Sequence, residues 1–498
     1  TTNRLSVATA AMRSGDFTGL PAIVDPLSGQ PFPNNRVPAE RLDPRSKTLI
    51  GYVPLPNLPG IGPAGTLSNW IGDTANVIDV NRFGSRLDHR FSDKDSIWGS
   101  YNYSRGWPYF VARAVPPNYG NSTSSTQTTS ANVTHVHTFS PRTLNEFRFA
   151  QLRHGFFGIG QNTDFDPRTL FPSIYPMPIG GLPRIDISNH IVIGDRGGKS
   201  TRGSQFTTQF IDNFTHVRGR HTFKAGFDID RFTTWEPPYI YGLAQDEAND
   251  AALGRFSFNG RYTNNDPSRA AQPAHAFGDF MLGYPVNTFR STVGADIHMR
   301  HTRYSAYFQD DWQVSPRLTL SLGLRYMVQT PWSERDGIQA NFDFNSGKLI
   351  VVGDKFPERT IQRMVSAYPI VTAAQAGLTG DPLETDKNNF GPRFGFAFRP
   401  FADGKTVVRG GAGIYYNFIP VFLGHNQLST SNAPFLLAET FESDPGRTPS
   451  LTLANPFPGE GKLSPNPSIM AVERNLKNSE SQQWNLSLER DLGGNLGI

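Results

Sequence analysis

The chain has 498 residues, with 47 Lys and Arg against 43 Asp and Glu, a formal net charge of +4, and no cysteine. Charge spread along the chain without a basic block gives no nucleic-acid footprint, and the missing thiols exclude disulfide frameworks, zinc–thiolate sites and cysteine nucleophiles. Apolar residues make up 37%, yet aromatics reach 12% with 37 Phe. That balance suits a wall apolar on one face only, and no run of about 18 apolar residues offers a transmembrane helix.

Residues 1–80 hold no sustained period and carry Pro-Gly punctuation such as Pro54-Leu-Pro-Asn-Leu-Pro-Gly60. They read as an outer, extracellular loop region ahead of a wall that occupies 81–498. The first hairpin runs through 82–90, turns at 91–95 and returns over 96–103. The second pairs 128–139 with 144–154 around Ser140-Pro-Arg142, and the third pairs 206–216 with 222–231 around 217–220.

The clearest hairpin follows, 303–312 turning at 314–317 into 318–328. In its return strand Leu318, Leu320, Leu322, Leu324, Tyr326 and Val328 share one face, while Thr319, Ser321, Gly323 and Arg325 share the other. A fifth hairpin pairs 390–399 with 407–416 across 400–405, and a last strand covers 482–490. Between hairpins lie long connections rich in Pro, Gly, Asn and Asp, at 105–127, 155–204, 236–302, 331–389 and 417–481. Short and long connections alternate, as in a transmembrane β-barrel with short periplasmic turns and long extracellular loops. The fold expected is all-β, an antiparallel meander of about eleven strands. Bacterial single-chain barrels have even counts and transporters about 22 strands, so the wall is expected to be partial.

Several of these segments resemble one family. Phe308-Gln-Asp-Asp-Trp-Gln-Val-Ser-Pro-Arg-Leu-Thr-Leu-Ser-Leu-Gly-Leu-Arg-Tyr326 resembles the hairpin of Oar-like TonB-dependent receptor barrels. Met12-Arg-Ser-Gly-Asp-Phe17, Arg86-Leu-Asp-His-Arg-Phe-Ser-Asp-Lys-Asp95 and Asn388-Asn-Phe-Gly-Pro-Arg-Phe-Gly-Phe-Ala397 are also similar to that family, in its order. The resemblance implies an outer-membrane transporter, located in the bacterial outer membrane with its lipid and lipopolysaccharide. Such a barrel holds an N-terminal plug, draws energy from an inner-membrane TonB complex and takes up an extracellular ligand. No plug, TonB box or preceding β-sandwich is visible, so the chain is expected to be an internal piece of the barrel. An adhesin or structural barrel without energised transport is the alternative. No enzyme activity and no cofactor are expected.

An Arg facing lipid at mid-bilayer costs roughly 2–4 kcal/mol. Arg325, Arg409 and Lys224 are therefore expected to face the lumen or plug, with Ser321, Gly411 and Asp228. Leu322, Leu324, Val408, Ile414, Phe223 and Phe227 then meet lipid, and Trp98, Trp312, Tyr326 and Tyr416 take the headgroup level. Trp107, Tyr109, Trp235 and Tyr239 are loop aromatics that could contact a ligand, although loop packing is the blander role. Weaker signals are set aside. Gly194-Asp-Arg-Gly-Gly-Lys-Ser200 has Ile193 where a phosphate-binding loop needs Gly. His135-Val-His137 lacks a third metal ligand nearby, as does the pair His298 and His301. Asp310 and Asp311 are adjacent strand residues on opposite faces, and Gly410-Gly-Ala-Gly413 is read as easing curvature or plug approach.

Overall fold

The computed structural model describes residues 3–72, 78–108, 122–160, 162–176, 180–194, 201–236, 252–266, 271–292, 296–378, 383–417, 428–429, 432–464, 469, 471–493 and 496–497. Its dominant element is a thirteen-stranded sheet. Eleven of the strands are long: β1 (Ile78–Arg90), β2 (Asp95–Pro108), β3 (Ser122–Ser140), β4 (Thr143–Gly160), β5 (Thr201–Arg218), β6 (His221–Glu236), β7 (Ile297–Ser315), β8 (Leu318–Gln329), β9 (Asn389–Phe398), β10 (Thr406–Asn417) and β11 (Ser479–Gly493). Each pairs antiparallel with the next in chain order. Two-residue strands add Ser333–Glu334 to β7 and Leu496–Gly497 to β11. The eleven expected strands are thus all present, ten of them longer than their alternation alone revealed and β9 of the expected length but shifted by one residue. No described helix is long and apolar enough to cross a membrane.

Local chemistry sets the turns. Ser140-Pro-Arg142 and Ser315-Pro-Arg317 use one device. The Ser hydroxyl accepts from the Arg backbone N–H at 3.2 Å in both, and Pro sits where no ladder donor is needed. The register also slips just before each turn, a bulge that sharpens the twist. At 218–221 the reversal needs a left-handed residue, supplied by Gly219 at φ +60.

The strands tilt within the sheet. Phe147, Asp212, Phe227, Ala306 and Tyr326 lie on one line across five strands. Phe147 is the fifth residue of β4, Phe227 the seventh of β6 and Tyr326 the ninth of β8. A line that climbs in this way means strands inclined to the axis, as a barrel wall requires.

The long connections are not the irregular loops their composition suggests. Residues from 5–70, 165–193, 256–284 and 441–457 pool one core, with Phe17, Phe171, Phe256, Phe258, Phe277 and Phe280 all under 2% exposed. It carries a four-stranded sheet in the order Ala438–Glu442, Asn287–Ser291, Arg255–Phe258, Arg184–Ile187, with the last pair parallel, and the helix Pro273–Leu282. A second cluster surrounds the sheet of Ala340–Asp343, Lys348–Val351 and Ile370–Thr372. This folded cap joins the strand ends opposite the short turns. Residues 1–80 belong to it through Met12, Phe17, Leu49 and Trp70. The core residues of each connection are irregularly spaced and find their partners in other connections, so the shared core leaves no periodic signal in any one of them.

Candidate functional site

The wall presents two chemically opposite faces. In an antiparallel ladder directly opposed residues share a face, so the register fixes every side chain. One face carries Phe83 (60% exposed), Phe227 (46%), Phe308 (53%), Leu322 (43%), Leu324 (49%) and Leu486 (68%). Phe223, Val408 and Ile414 share it by register. Large apolar side chains left this open over so wide a sheet are the mark of a surface that meets something other than water.

The other face is polar and knitted together. Lys224 reaches Asp311 at 2.9 Å, and the same carboxylate accepts from Ser321 at 2.7 Å and Gln309 at 2.9 Å. One strand-step higher, Asp228 accepts from Ser305 at 2.5 Å and from Arg325, which also donates to Ser305 at 2.6 Å. Arg303 then bridges to Asp230 and lies 4.0 Å from Asp228. Asp228 and Asp230 are 9% and 1% exposed, so these charges are desolvated and depend on their pairing. The ladder therefore gathers Lys224, Asp228, Ser321 and Arg325 on one face of β6–β8. Arg409 shares that face two strands further on, paired with Glu489 at 3.4 Å, both about half exposed.

Trp98 departs from the expected headgroup position. It is the fourth residue of β2 and belongs to the polar face, opposite Thr134, where the Arg86 guanidinium lies 4.1 Å above its ring. Cation–π contact lets an indole stand among polar neighbours. Trp312, Tyr326 and Tyr416 are on the apolar face. Trp107 and Trp235 end β2 and β6 as strand residues, Trp107 under Arg105 at 4.4 Å and Trp235 beside His298 at 6.3 Å. Tyr109 and Tyr239 lie outside the described residues, as does most of the 194–200 segment.

The weak metal signals gain no support. Asp95 accepts from His137 at 2.6 Å and His135 at 3.3 Å, but no group of three His, Cys, Asp or Glu among the described residues is arranged to hold a metal. His298 and His301 take opposite faces. Asp310 pairs with His221 at 2.8 Å on the apolar side, away from Asp311. Gly410 has a simpler cause than curvature: the Phe396 ring lies across it, so a Cβ there would come within 2.4 Å.

Sequence reasoning missed the cap's polar centres. Glu439, fully buried, accepts from Arg290 at 2.6 Å, Tyr175 at 2.8 Å, Gly461 N–H at 3.0 Å and also Arg363. Burial opposes its ionisation, yet the donors prevail and hold the carboxyl below its usual range. Beside this knot a cleft of about 120 Å³ is lined by Thr163, Asp164, Asp166, Arg168, Tyr175 and Gly180. Asp279, on the helix Pro273–Leu282, accepts from Thr263 N–H at 2.9 Å and Thr263 Oγ1 at 2.8 Å. Burial still pushes it up to about 7. Where wall meets cap, His301 stacks on Phe232 at 4.5 Å and meets Trp332 edge-on at 3.9 Å. Only the tertiary fold brings these residues together.

Two-faced tilted strands, short turns and a folded cap define a membrane-wall protein. The family model described as outer membrane beta barrel domain matches residues 1–498, and the chain belongs to that family, which places it in the outer membrane. No curated protein matches it. Similar folds among solved structures include the Escherichia coli outer membrane transporter YddB, at 10% identity and TM-score 0.43, covering 84% of this chain and 38% of that one. The E. coli K12 ferric-catecholate import receptor Fiu, closed form, has 11% identity and TM-score 0.38, covering 83% and 49%. The alcaligin outer membrane receptor FauA of Bordetella pertussis has 8% identity and TM-score 0.38, covering 84% and 51%. The chain thus spans about half or less of the length of each.

Proposed function

We propose that this chain forms part of the barrel of a TonB-dependent outer-membrane receptor, whose apolar face meets lipid and whose polar face lines a lumen or contacts a plug. One observation carries the reading: a wall with exposed Phe and Leu on one side and a ladder of ion pairs, Lys224–Asp311 and Arg325–Asp228–Arg303, built around the buried Asp228 on the other. Charges cannot face hydrocarbon at this density, and aliphatic rows do not face water. Uptake driven by an inner-membrane TonB complex is supported by the resemblance of the 308–326 hairpin to such receptors, with the cap as the surface a ligand first meets. Its work is then binding and passage rather than covalent chemistry.

Because residues 1–498 hold no cysteine, single spin-labelled cysteines report position cleanly once any cysteine elsewhere in the full protein is replaced. In the full protein in bilayers, Leu322→Cys and Phe227→Cys are expected to respond to a lipid-soluble relaxation agent and Ser321→Cys and Lys224→Cys to respond far less. Indistinguishable profiles for the two sets would refute the facing assignment. Energised transport is tested separately in cells carrying the complete gene. Ligand accumulation that survives collapse of the proton-motive force would favour an adhesin or passive barrel.

A further inference from the structure

The rising strands β2, β4 and β6 each place an arginine at the same height. It is the eleventh residue in every case: Arg105 counting from Asp95, Arg153 from Thr143 and Arg231 from His221. All three fall on the apolar face, Arg105 opposite Gln127, Arg153 opposite Thr129 and Phe206, Arg231 opposite Thr208 and Thr302. A tilted strand crosses the hydrocarbon in about 9–11 residues, so the row stands where the wall leaves the bilayer on the cap side. Below it the same face carries Tyr101, Phe147, Phe149, Phe227 and Ile229, the part that would lie in lipid.

Among the described residues no ion pair neutralises this row. All three arginines are exposed, and none has an ion-pair partner among the described residues. The residues between them on β3 and β5 are Thr129, Gln127, Phe206 and Thr208, all uncharged, and the nearest carboxylate on this face is Asp79 of β1, opposite Trp107, which forms no ion pair with Arg105. On the polar face Arg325 and Arg303 are by contrast closely paired, with Asp228 and Asp230. Aromatic rings steady two of them: the Arg105 guanidinium lies 4.4 Å over the Trp107 ring, and that of Arg153 lies 5.5 Å from Phe206. Guanidinium forks match phosphate oxygens bidentately. Alternate strands stand about 10 Å apart, two ladder spacings, so each fork reaches a separate phosphate.

We propose that Arg105, Arg153 and Arg231 form a binding site on the outside of the wall for the phosphate groups of outer-leaflet lipopolysaccharide. The inference rests on the face assignment under Proposed function and adds a ligand, a height and a leaflet to it. Lipid phosphates would fix the wall's depth and rotation in the membrane, since an unpaired cation at the rim gains only when an anion meets it.

The test titrates the full protein in detergent with lipopolysaccharide and with its enzymatically dephosphorylated form. Tighter, salt-sensitive binding of the phosphorylated form is expected for the wild type. The triple substitution R105Q/R153Q/R231Q is expected to lose that preference by roughly a hundredfold, about fivefold for each arginine. R82Q/R393Q, which removes exposed arginines of the polar face, is expected to keep it. Equal binding of both lipid forms by the wild type, or equal losses in the two sets of variants, overturns the site while leaving the wall's orientation standing. If Leu322→Arg inserts into bilayers as well as the wild type, the orientation itself fails and the arginine row falls with it.

Discussion

Asp228 holds two guanidinium groups at once, and at 9% exposure it does so away from water. Asp228→Asn leaves Arg325 facing a neutral group while Arg303 keeps Asp230, a change of the kind that costs about 3–5 kcal/mol. Denaturant unfolding of the bilayer-inserted protein is expected to show a loss of that order, and a change under about 0.5 kcal/mol would mean that water reaches the ladder freely. Facing can be tested at adjacent residues. Leu322→Arg puts a charge on the apolar face, expected to cost roughly 2–4 kcal/mol of insertion. Ser321→Arg loses only the hydrogen bond to Asp311 and adds its charge on the polar side, so its insertion yield is expected to stay near wild type. Both positions were assigned from the period of two alone, because a strand allows only two directions and the cost of a misdirected charge selects one.

At the scale of elements, the cap and the wall rest on different physics. The wall keeps its ladder hydrogen bonds whatever the cap does, whereas the cap needs its shared core. Phe280, fully buried against Phe258 at 5.4 Å and Phe277 at 5.8 Å, is expected to cost about 3–5 kcal/mol on truncation to Ala. Limited proteolysis should then open sites within 162–194 and 252–292 while β1–β6 stay protected; cleavage spread evenly over wall and cap would show that the two do not unfold separately.

The junction between them responds to pH. His301 lies beyond the bilayer-crossing part of β7, and burial followed by the charge of Arg303 pushes it down to about 3. Unfolded His titrates near 6.5, so between about pH 6.5 and 3 the unfolded chain takes the proton first and stability falls as pH falls. His301→Phe is expected to flatten that slope. Asp279 acts with the opposite sign. The folded state keeps its proton up to about 7 and the unfolded state releases it near 3.9, so its contribution fades as pH rises through that window. Protease resistance of the cap measured from pH 4 to 8 in His301→Phe and Asp279→Asn separates the two, and parallel curves for both variants would exclude this account.

For the whole molecule, strand direction sets a rule. β1 and β11 both run from the cap side toward the short turns, so the two outermost long strands are parallel to each other, and Leu496–Gly497 begins the antiparallel strand that follows β11. An antiparallel closed barrel therefore needs an odd number of further strands between them, and two copies of this wall set edge to edge would meet in parallel. Open edges cannot stay unpaired in lipid. A cysteine pair at Phe83 and Leu486, one on each edge strand, is expected to remain reduced in the membrane-inserted full protein; an intramolecular disulfide there would show that the edges meet directly.

By itself the sequence determined the wall: eleven strands, their order, the side of the short turns and the division of Leu322 from Ser321, Arg325 and Lys224 between its two faces. Each of these follows from local regularities, a period of two and Ser-Pro-Arg or Gly turns, that a strand expresses wherever it sits. Trp98 was misjudged because nearness to a strand end fixes height and not face, and its face depended on register with Thr134 and on Arg86. The cap, the Glu439 knot, the His301 stack and the level row of Arg105, Arg153 and Arg231 were decided only by tertiary structure. Their members lie tens to hundreds of residues apart, and no local pattern records which distant side chain will supply a partner or stand at the same height.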